Sequence, residues 1–590
     1  MRNNHKFLFA CFFAFVSFAS CSEDDNIAEL VTGPTSFSGT PVEVNVDSYA
    51  LEDANASTRT IATLADNTLQ FAWQDGDAIG VFPDEGSQGK FNAVGSGDSF
   101  TTAHFDGGEW SLETGHTYYA FYPYSYDNAS RASITLDYSG QAQQAGDGVT
   151  LSCQKDFIYS SATKTSADQT VSFTFHHLGC FLVLNLTMPN AGTFTELSLC
   201  AKDDIFPIKQ KLDLTTGEPQ ISNTEMASVF PVSLTGAGAT LSASDLTMTV
   251  GIFLPAQDLS DKAIYLTAKD SDGNSYTSQA AVSMPAMTSG NAYRRSATML
   301  KQGSIGYLDV GKYDISYISV GNSFSSDALA YVPVLLEELL PFSDIHIGIM
   351  YYAGGTLEQQ WSFCNANSAD YVYYSYHTEA GTWSYATEQT YQNMMNDYDW
   401  NYISFQQAST NSIDYNTFQP YLDYLLSNTK TTWSTCIPVW TLTHSWANGY
   451  NDSDEQTMYA KIAAAAQTTL EQTSIEHINP YGTAIQNARA TTLNNYGYYG
   501  SMCYDGLHLQ AGLPRLVASY TSAQTILRLY NIPCTIETCQ YTVSSANDEA
   551  IAAPDASLRG DIGDVSATDY NLAKACALNA INNPYDVTQN

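Results

Sequence analysis

A chain of 590 residues is too long to be built on a single hydrophobic core, so two or more domains are expected. With 44% hydrophobic and 14% charged residues it has the composition of a globular rather than a disordered protein. Its formal net charge of -38 opposes binding to nucleic acid or to an anionic membrane surface and suits an acidic, exported protein.

The first residues have the pattern of a targeting segment. Arg2 and Lys6 precede an apolar run, Phe7 to Phe18, which is too short to span a bilayer as a final anchor. Phe18-Ala19-Ser20-Cys21 resembles a bacterial lipobox, in which Cys21 is lipidated and becomes the mature N-terminus. The acidic Ser22-Glu23-Asp24-Asp25 that follows resembles the surface-export signal of Bacteroidetes lipoproteins. Residues 1–21 thus read as a lipoprotein signal peptide and 22–38 as a polar tether. The implied location is the outer membrane, through the lipid anchor, with exposure at the cell surface. An ordinary secretory peptide cleaved nearby is the alternative. Beyond Cys11 and Cys21, nine cysteines remain, in spacings that fit no metal pattern. Cys534 and Cys539 could pair; most of the others read as small buried hydrophobes.

Residues 39–300 read as nearly all β. Short alternating runs recur, such as Leu69-Gln70-Phe71-Ala72-Trp73 and Val171-Ser172-Phe173-Thr174-Phe175, separated by Gly, Asp, Asn and Ser clusters. This periodicity predicts one or two sandwiches. His176-His177 is the one local histidine pair, and on a strand its side chains face opposite ways, a poor metal site. The segments Phe71 to Phe82, Tyr118 to Tyr124 and Phe173 to Leu178 follow one another as in the fimbrillin family of surface adhesins, which the region resembles. The resemblance implies a two-part β-sandwich and a surface location.

Residues 301–312 read as a Gly-containing linker, and the pattern then changes. His346 to Met350, Tyr402 to Gln406 and Ile437 to Leu442 read as strands. Tyr415 to Leu426, Glu455 to Leu470, Thr483 to Ala490 and Pro514 to Leu529 read as helices. Such alternation predicts an α/β layer fold with a parallel sheet over residues 313–590, and ligands bind such sheets at the carboxyl ends of the strands. At the start of this region Ile315 to Val320 reads as a strand, Gly321-Asn322 as a break, and Ser326 or Asp327 as the cap of a helix through Leu329, Val332, Leu335, Leu336 and Leu339. A strand, tight turn and helix lift Ser323 out of the sheet beside backbone N–H groups that can stabilise an oxyanion.

A serine nucleophile needs a base, and the base an orienting carboxylate. Of His346, His377, His444, His477 and His508, only His508 lies in a compact acid–base unit, Asp505-Gly506-Leu507-His508. Gly506 permits the sharp turn that brings Asp505 and His508 face to face.

Gly321-Asn322-Ser323-Phe324-Ser325 and Asp505-Gly506-Leu507-His508 resemble the first and last blocks of the SGNH (GDSL-like) hydrolase superfamily, in its Gly-Asn-Ser-Phe-Ser branch. Gly354-Gly355-Thr356-Leu357-Glu358 stands as the glycine block, and Gln406-Gln407-Ala408-Ser409 where the superfamily's Asn block belongs. His444 to Ala447 and Pro480 to Gln486 follow in order. The resemblance implies Ser323 as nucleophile, His508 as base and Asp505 as orienter. It places the oxyanion hole on the N–H groups of Ser323 and of Gly354 or Gly355. Two positions depart from the pattern. Asn322 replaces the usual Asp, and Gln407 stands for the missing oxyanion Asn, with an amide able to donate the same bond. His444 and Trp446 read as packing groups and Glu358 as a solvated or capping residue. Tyr371, Tyr373, Tyr374, Tyr376, Trp383 and Tyr385 crowd one insertion, which could stack on sugar rings or form a self-packed lid.

The reading is therefore a cell-surface serine esterase that deacylates a glycan, removing acetyl groups through an acyl-enzyme, without metal or cofactor and without nucleic acid as partner. The alternative is a surface adhesin or glycan-binding lipoprotein whose SGNH half is inactive.

Overall fold

The structure, a computed structural model, describes residues 61–588 apart from interruptions at 66–67, 74, 95–102, 109, 145–149, 153–154, 168, 236–238, 498–499 and 545–563, together with the strands Thr35–Ser36 and Glu43–Val46. Cys21 and the rest of the targeting segment lie outside the described residues.

The N-terminal region is all β, in two parts. An eight-stranded sheet includes Ala78–Pro83, Gly89–Val94, Thr117–Tyr122 and Ile158–Thr163. Its alternating burial follows from the period-two pattern, and Trp73, Ile79, Phe105 and Phe173 fill its core. A ten-stranded sheet built on Gly179–Thr187, Thr247–Pro255, Ile264–Asp270 and Asn291–Lys301 encloses a second, larger core around Phe181, Leu184, Leu199 and Ile252. His177 binds Asp156 through Nδ1 at 2.7 Å.

The C-terminal region is a three-layer α/β fold on one seven-stranded sheet. Its strands are β1 (Asp314–Gly321), β2 (Asp344–Tyr351), β3 (Tyr371–His377), β4 (Thr382–Gln389), β5 (Tyr402–Phe405), β6 (Ile437–Thr441) and β7 (His477–Asn479). They lie in the order β4-β3-β2-β1-β5-β6-β7, and the core β2-β1-β5-β6-β7 is parallel. This doubly wound order leaves a crevice at the carboxyl end of β1, where successive connections leave to opposite faces.

Near-continuous apolar strands such as Ile315 to Val320 are buried on both faces, as a covered parallel sheet requires. One face packs on α1 (Ser323–Leu329), α2 (Val332–Leu339), α7 (Tyr481–Arg489), α8 (Leu513–Leu529) and α9 (Ala567–Asn582). The other packs on Leu357–Ala366, Tyr421–Thr432 and Glu455–Gln472.

Four local expectations are corrected. The helix expected from a Ser326 or Asp327 cap is two helices, α1 and α2, capped in fact by Asn322, whose Oδ1 accepts from Phe324 N. Pro333 in the first turn of α2 makes a fresh start there natural. The helix expected over Tyr415 to Leu426 begins only at Tyr421, because Pro420 interrupts it. The tyrosine-rich insertion is the antiparallel hairpin β3–β4, paired to β2 from His346↔His377 to Tyr351↔Val372. Cys534 and Cys539 are separate thiols, each turned to a carbonyl near the end of α2, Leu339 O and Leu335 O.

The β region meets this layer at the amino end of its strands. Lys202 pairs with Asp344 at 2.7 Å, and Tyr265 stacks edge-on against Phe342. The segment between Lys301 and Asp314 is seated on the α/β layer. Tyr307 is buried in its core, Gly306 N donates to Thr538 O, and Asp309 N donates to Leu339 O. Ser323 stands at the opposite, carboxyl edge.

Candidate active site

Ser323 is the first residue of α1, two beyond the end of β1. Gly321 is required there, because a Cβ would collide with the Ser325 hydroxyl and the Gln406 amide. Ser323 Oγ lies 2.8 Å from His508 Nε2, and His508 Nδ1 lies 2.7 Å from Asp505 Oδ2. The other Asp505 oxygen accepts from Leu507 N at 2.9 Å and His508 N at 2.7 Å, so the carboxylate is fixed on both sides. Partial burial raises the Asp505 carboxyl, but the hydrogen bonds from His508 and Leu507 outweigh it and hold it below the usual carboxylate range. Gly506 has φ +90° and a Cβ there would strike Tyr450, so the turn that closes Asp505 on His508 depends on glycine.

The first turn of α1 has four N–H groups to satisfy. Phe324 N goes to Asn322 Oδ1, and Ser325 N and Ser326 N go to Asn322 O. Ser323 N donates to no protein acceptor among the described residues. Beside it, Asn322 Nδ2 donates to Gly355 O at 3.3 Å, which ties the glycine block to the nucleophile turn. Gly355 N is committed to Tyr352 O at 3.0 Å, whereas Gly354, at φ +64°, has no such partner for its N–H among the described residues. Of the two glycines named from sequence, only Gly354 therefore has a free donor.

Gln407 does not supply the side-chain donor expected of it. Its Oε1 accepts from Leu357 N and Ala408 N, and its Nε2 donates to Thr417 O at 3.0 Å. Both ends of the amide brace the loops around the glycine block. Gln406 turns to the nucleophile side instead, donating to Asn322 Oδ1 at 2.8 Å. Adjacent residues leaving a strand diverge, and the pair splits between the two tasks.

His444 is fully buried, stacked on Phe324 at 4.1 Å, with Nε2 2.9 Å from Leu507 O. Burial, reinforced by nearby Arg489, drives its pKa down to about 3, so it is neutral and donates to that carbonyl. Glu358 is outside this cluster and accepts from Tyr421 Oη.

Three further residues hold the site. Asp327, buried on α1, pairs with Arg515 at 2.9 Å and accepts from Leu509 N. Arg489 binds Ser445 O, Ser445 Oγ and Ser501 O, clamping the loop before Asp505. An arginine inside an apolar helix such as Leu513 to Leu527 signals a buried acid partner, but does not say which. Among the described residues no group of three His, Cys, Asp or Glu side chains could hold a metal ion.

Fold and site together define a multidomain protein in which a β-rich region precedes a three-layer α/β domain with a hydrogen-bonded Ser–His–Asp line at the carboxyl edge of its sheet. Residues 58–307 match the family model described as fimbrillin-like, and residues 316–552 match that of a domain of unknown function, DUF4886. Among solved structures, a DUF4886 family protein from Bacteroides uniformis is similar at 24% identity over 47% of this chain and 98% of its own, with TM-score 0.40. A candidate cell adhesion protein from the same species is similar at 18% identity over 42% of this chain and 97% of its own, with TM-score 0.28. A catalytic mutant of an acetylxylan esterase from Geobacillus stearothermophilus is similar at 12% identity over 40% and 100%, with TM-score 0.26. No curated protein matches the chain.

Proposed function

We propose that the C-terminal domain is a serine ester hydrolase acting through an acyl-enzyme. One observation carries this reading: a continuous hydrogen-bonded line from Ser323 Oγ through His508 to Asp505, with links of 2.8 and 2.7 Å. In this mechanism Ser323 Oγ attacks the ester carbonyl carbon while His508 Nε2 takes its proton. The tetrahedral oxyanion is held by Ser323 N–H and Gly354 N–H. Collapse expels the alcohol, which receives the proton from His508. Water, deprotonated by His508, then attacks the acyl-Ser323 ester, and the acid leaves as His508 returns that proton to Ser323 Oγ. Asp505 keeps the His508 proton on Nδ1 and stabilises the imidazolium.

The ester is proposed to be an acyl group, acetyl above all, on a glycan. The SGNH resemblance and the surface setting of fimbrillin-like regions support that choice. The lipobox at Cys21 supports an anchored, surface-exposed lipoprotein. No helix among the described residues is long and apolar enough to cross a membrane. A second reading, a binding module without turnover, has one observation in its favour: Gln407 leaves the oxyanion with backbone donors alone.

Turnover of p-nitrophenyl acetate decides between them. The wild-type chain should hydrolyse it and folded Ser323→Ala should not. Equal rates in the two would remove Ser323 from the chemistry, and no turnover by the wild type would favour the binding module.

A further inference from the structure

We propose that Asn322 is the positioning residue of the oxyanion hole: its side-chain amide, oriented by Gln406, holds the turn Tyr352 to Gly355 and so fixes Gly354 N–H relative to Ser323. This deepens the esterase reading and rests on it for the task of the two N–H groups.

Gly354 has little of its own to hold it. It is exposed, its φ is +64°, and a Cβ there would meet nothing within 4 Å. Its place is set by the two ends of its turn, which Gly355 N closes on Tyr352 O at 3.0 Å. Both ends are tied to the residues just before the nucleophile. Tyr352 N donates to Gly321 O at 3.1 Å, and Asn322 Nδ2 donates to Gly355 O at 3.3 Å. Gln407 acts beyond the turn, on Leu357 N, and Gln360 reaches back from the same helix to Gly321 O. Among the described residues, the bond from Asn322 is the one side-chain hydrogen bond to the backbone of the turn itself.

The amide has one orientation open to it. Its Oδ1 accepts two bonds, from Gln406 Nε2 at 2.8 Å and from Phe324 N at 3.0 Å. A flipped amide would turn Nδ2 on both of these donors. Asn322 and Gln406 are 3% and 2% exposed, so water does not compete for the bonds.

An Asp at position 322 would keep both acceptor bonds and cap α1 as well as Asn does. As a carboxylate it has no hydrogen to give Gly355 O, and one of its oxygens would face that carbonyl. The Asn that departs from the usual superfamily residue is thus matched to the glycine block. Gln406, in the block where a side-chain oxyanion donor is expected, serves the hole through Asn322.

Kinetics with p-nitrophenyl acetate on the full chain tests this, at a temperature where every variant is folded. Asn322→Asp should lower kcat by about ten- to a hundredfold, short of the two to three powers of ten for outright loss of a donor. Asn322→Ser, which caps without a charge but is too short to reach Gly355 O, should lose about as much. KM should change by less than about twofold, since the oxyanion exists only in the transition state. Gln406→Met leaves Phe324 N alone to orient the amide and should lose less than Asn322→Ser. Affinity for phenylboronic acid reports the hole itself, because Ser323 Oγ adds to boron and a boron-bound oxygen takes the place of the oxyanion. It should weaken in parallel with kcat in both Asn322 variants. Wild-type kcat in Asn322→Ser or Gln406→Met, a loss confined to Asn322→Asp, which charge alone would cause, or unchanged boronate affinity overturns the proposal. No turnover by the wild type overturns the esterase reading instead, and the boronate series then still tests the positioning.

Discussion

Asp327 Oδ2 accepts the backbone N–H of Leu509 at 2.9 Å, which ties the helix that starts with Ser323 to the residue after His508. The same carboxyl pairs with Arg515 of α8, and both side chains are buried. Burial raises the Asp327 carboxyl above its ordinary range, and Arg515 offsets part of that rise. Asp327→Asn leaves Arg515 buried without its counter-charge and should cost about 3–5 kcal/mol of stability. Replacing both, Asp327→Leu with Arg515→Met, should recover much of that loss, since buried pairs are replaceable by apolar packing. It should not recover kcat, because Leu509 N–H has lost its acceptor. Urea unfolding and ester kinetics on the same three chains measure the split. Recovery of kcat in the double variant would make the pair merely structural.

Gln407 should matter to stability and little to chemistry. Gln407→Ala strands Leu357 N–H, Ala408 N–H and Thr417 O in a buried loop, a loss of about 1–3 kcal/mol. Were its amide an oxyanion donor, kcat would instead fall by about two to three powers of ten. Kinetics with one acetyl ester, at a temperature where the variant is fully folded, separates the two outcomes.

The join between the regions should be cut before Tyr307. A chain beginning at Lys312 removes Tyr307, whose carbonyl accepts from Thr538 Oγ1 at 3.1 Å. It also removes Gly306 and Asp309, which are bonded to the same layer. A chain beginning at Ser304 keeps all three and should be the more stable of the two on thermal melting. Turnover is expected in the longer chain, since Ser323 faces away from the contacts with the β region. An inactive but folded Ser304 chain would show that the β region takes part in the site.

His444 predicts an acid sensitivity. Its pKa is held near 3 in the folded protein, against about 6.5 unfolded. Between those values the unfolded chain binds the extra proton, so stability falls as pH falls, by up to about 1.4 kcal/mol per pH unit. His444→Gln removes this contribution. Between pH 7 and pH 5 the wild type should therefore lose about 2 kcal/mol more than the variant in urea unfolding. Parallel losses would mean that His444 is protonated in the folded state.

Short-range physics made several features readable from the chain alone. Gly321 before Ser323 and Gly506 between Asp505 and His508 are local backbone demands, and local demands leave local marks. The apolar runs of β1, β2 and β5 reveal a doubly covered sheet for the same reason, since burial on two faces leaves no polar alternation. The β periodicity before Leu300 likewise reports half-buried strands.

Contacts between distant segments decided the rest. That Ser323 and His508, 185 positions apart, share a hydrogen bond is a property of strand order, not of either block. Gln406 and Gln407 carry the same side chain, and only the divergence of the chain after β5 sends one to Asn322 and the other to Thr417. Asp327 looks like a helix cap in sequence, because Asp favours that position. Its partner Arg515 lies on a helix far along the chain, and only packing of α1 against α8 turns the two into one buried pair. Tyr385 was one tyrosine among 40 until pairing of β4 with β3 placed it opposite Tyr374 on the free edge of the sheet. Propensity and spacing act over a few residues, whereas burial and partnership depend on which faces the whole chain brings together.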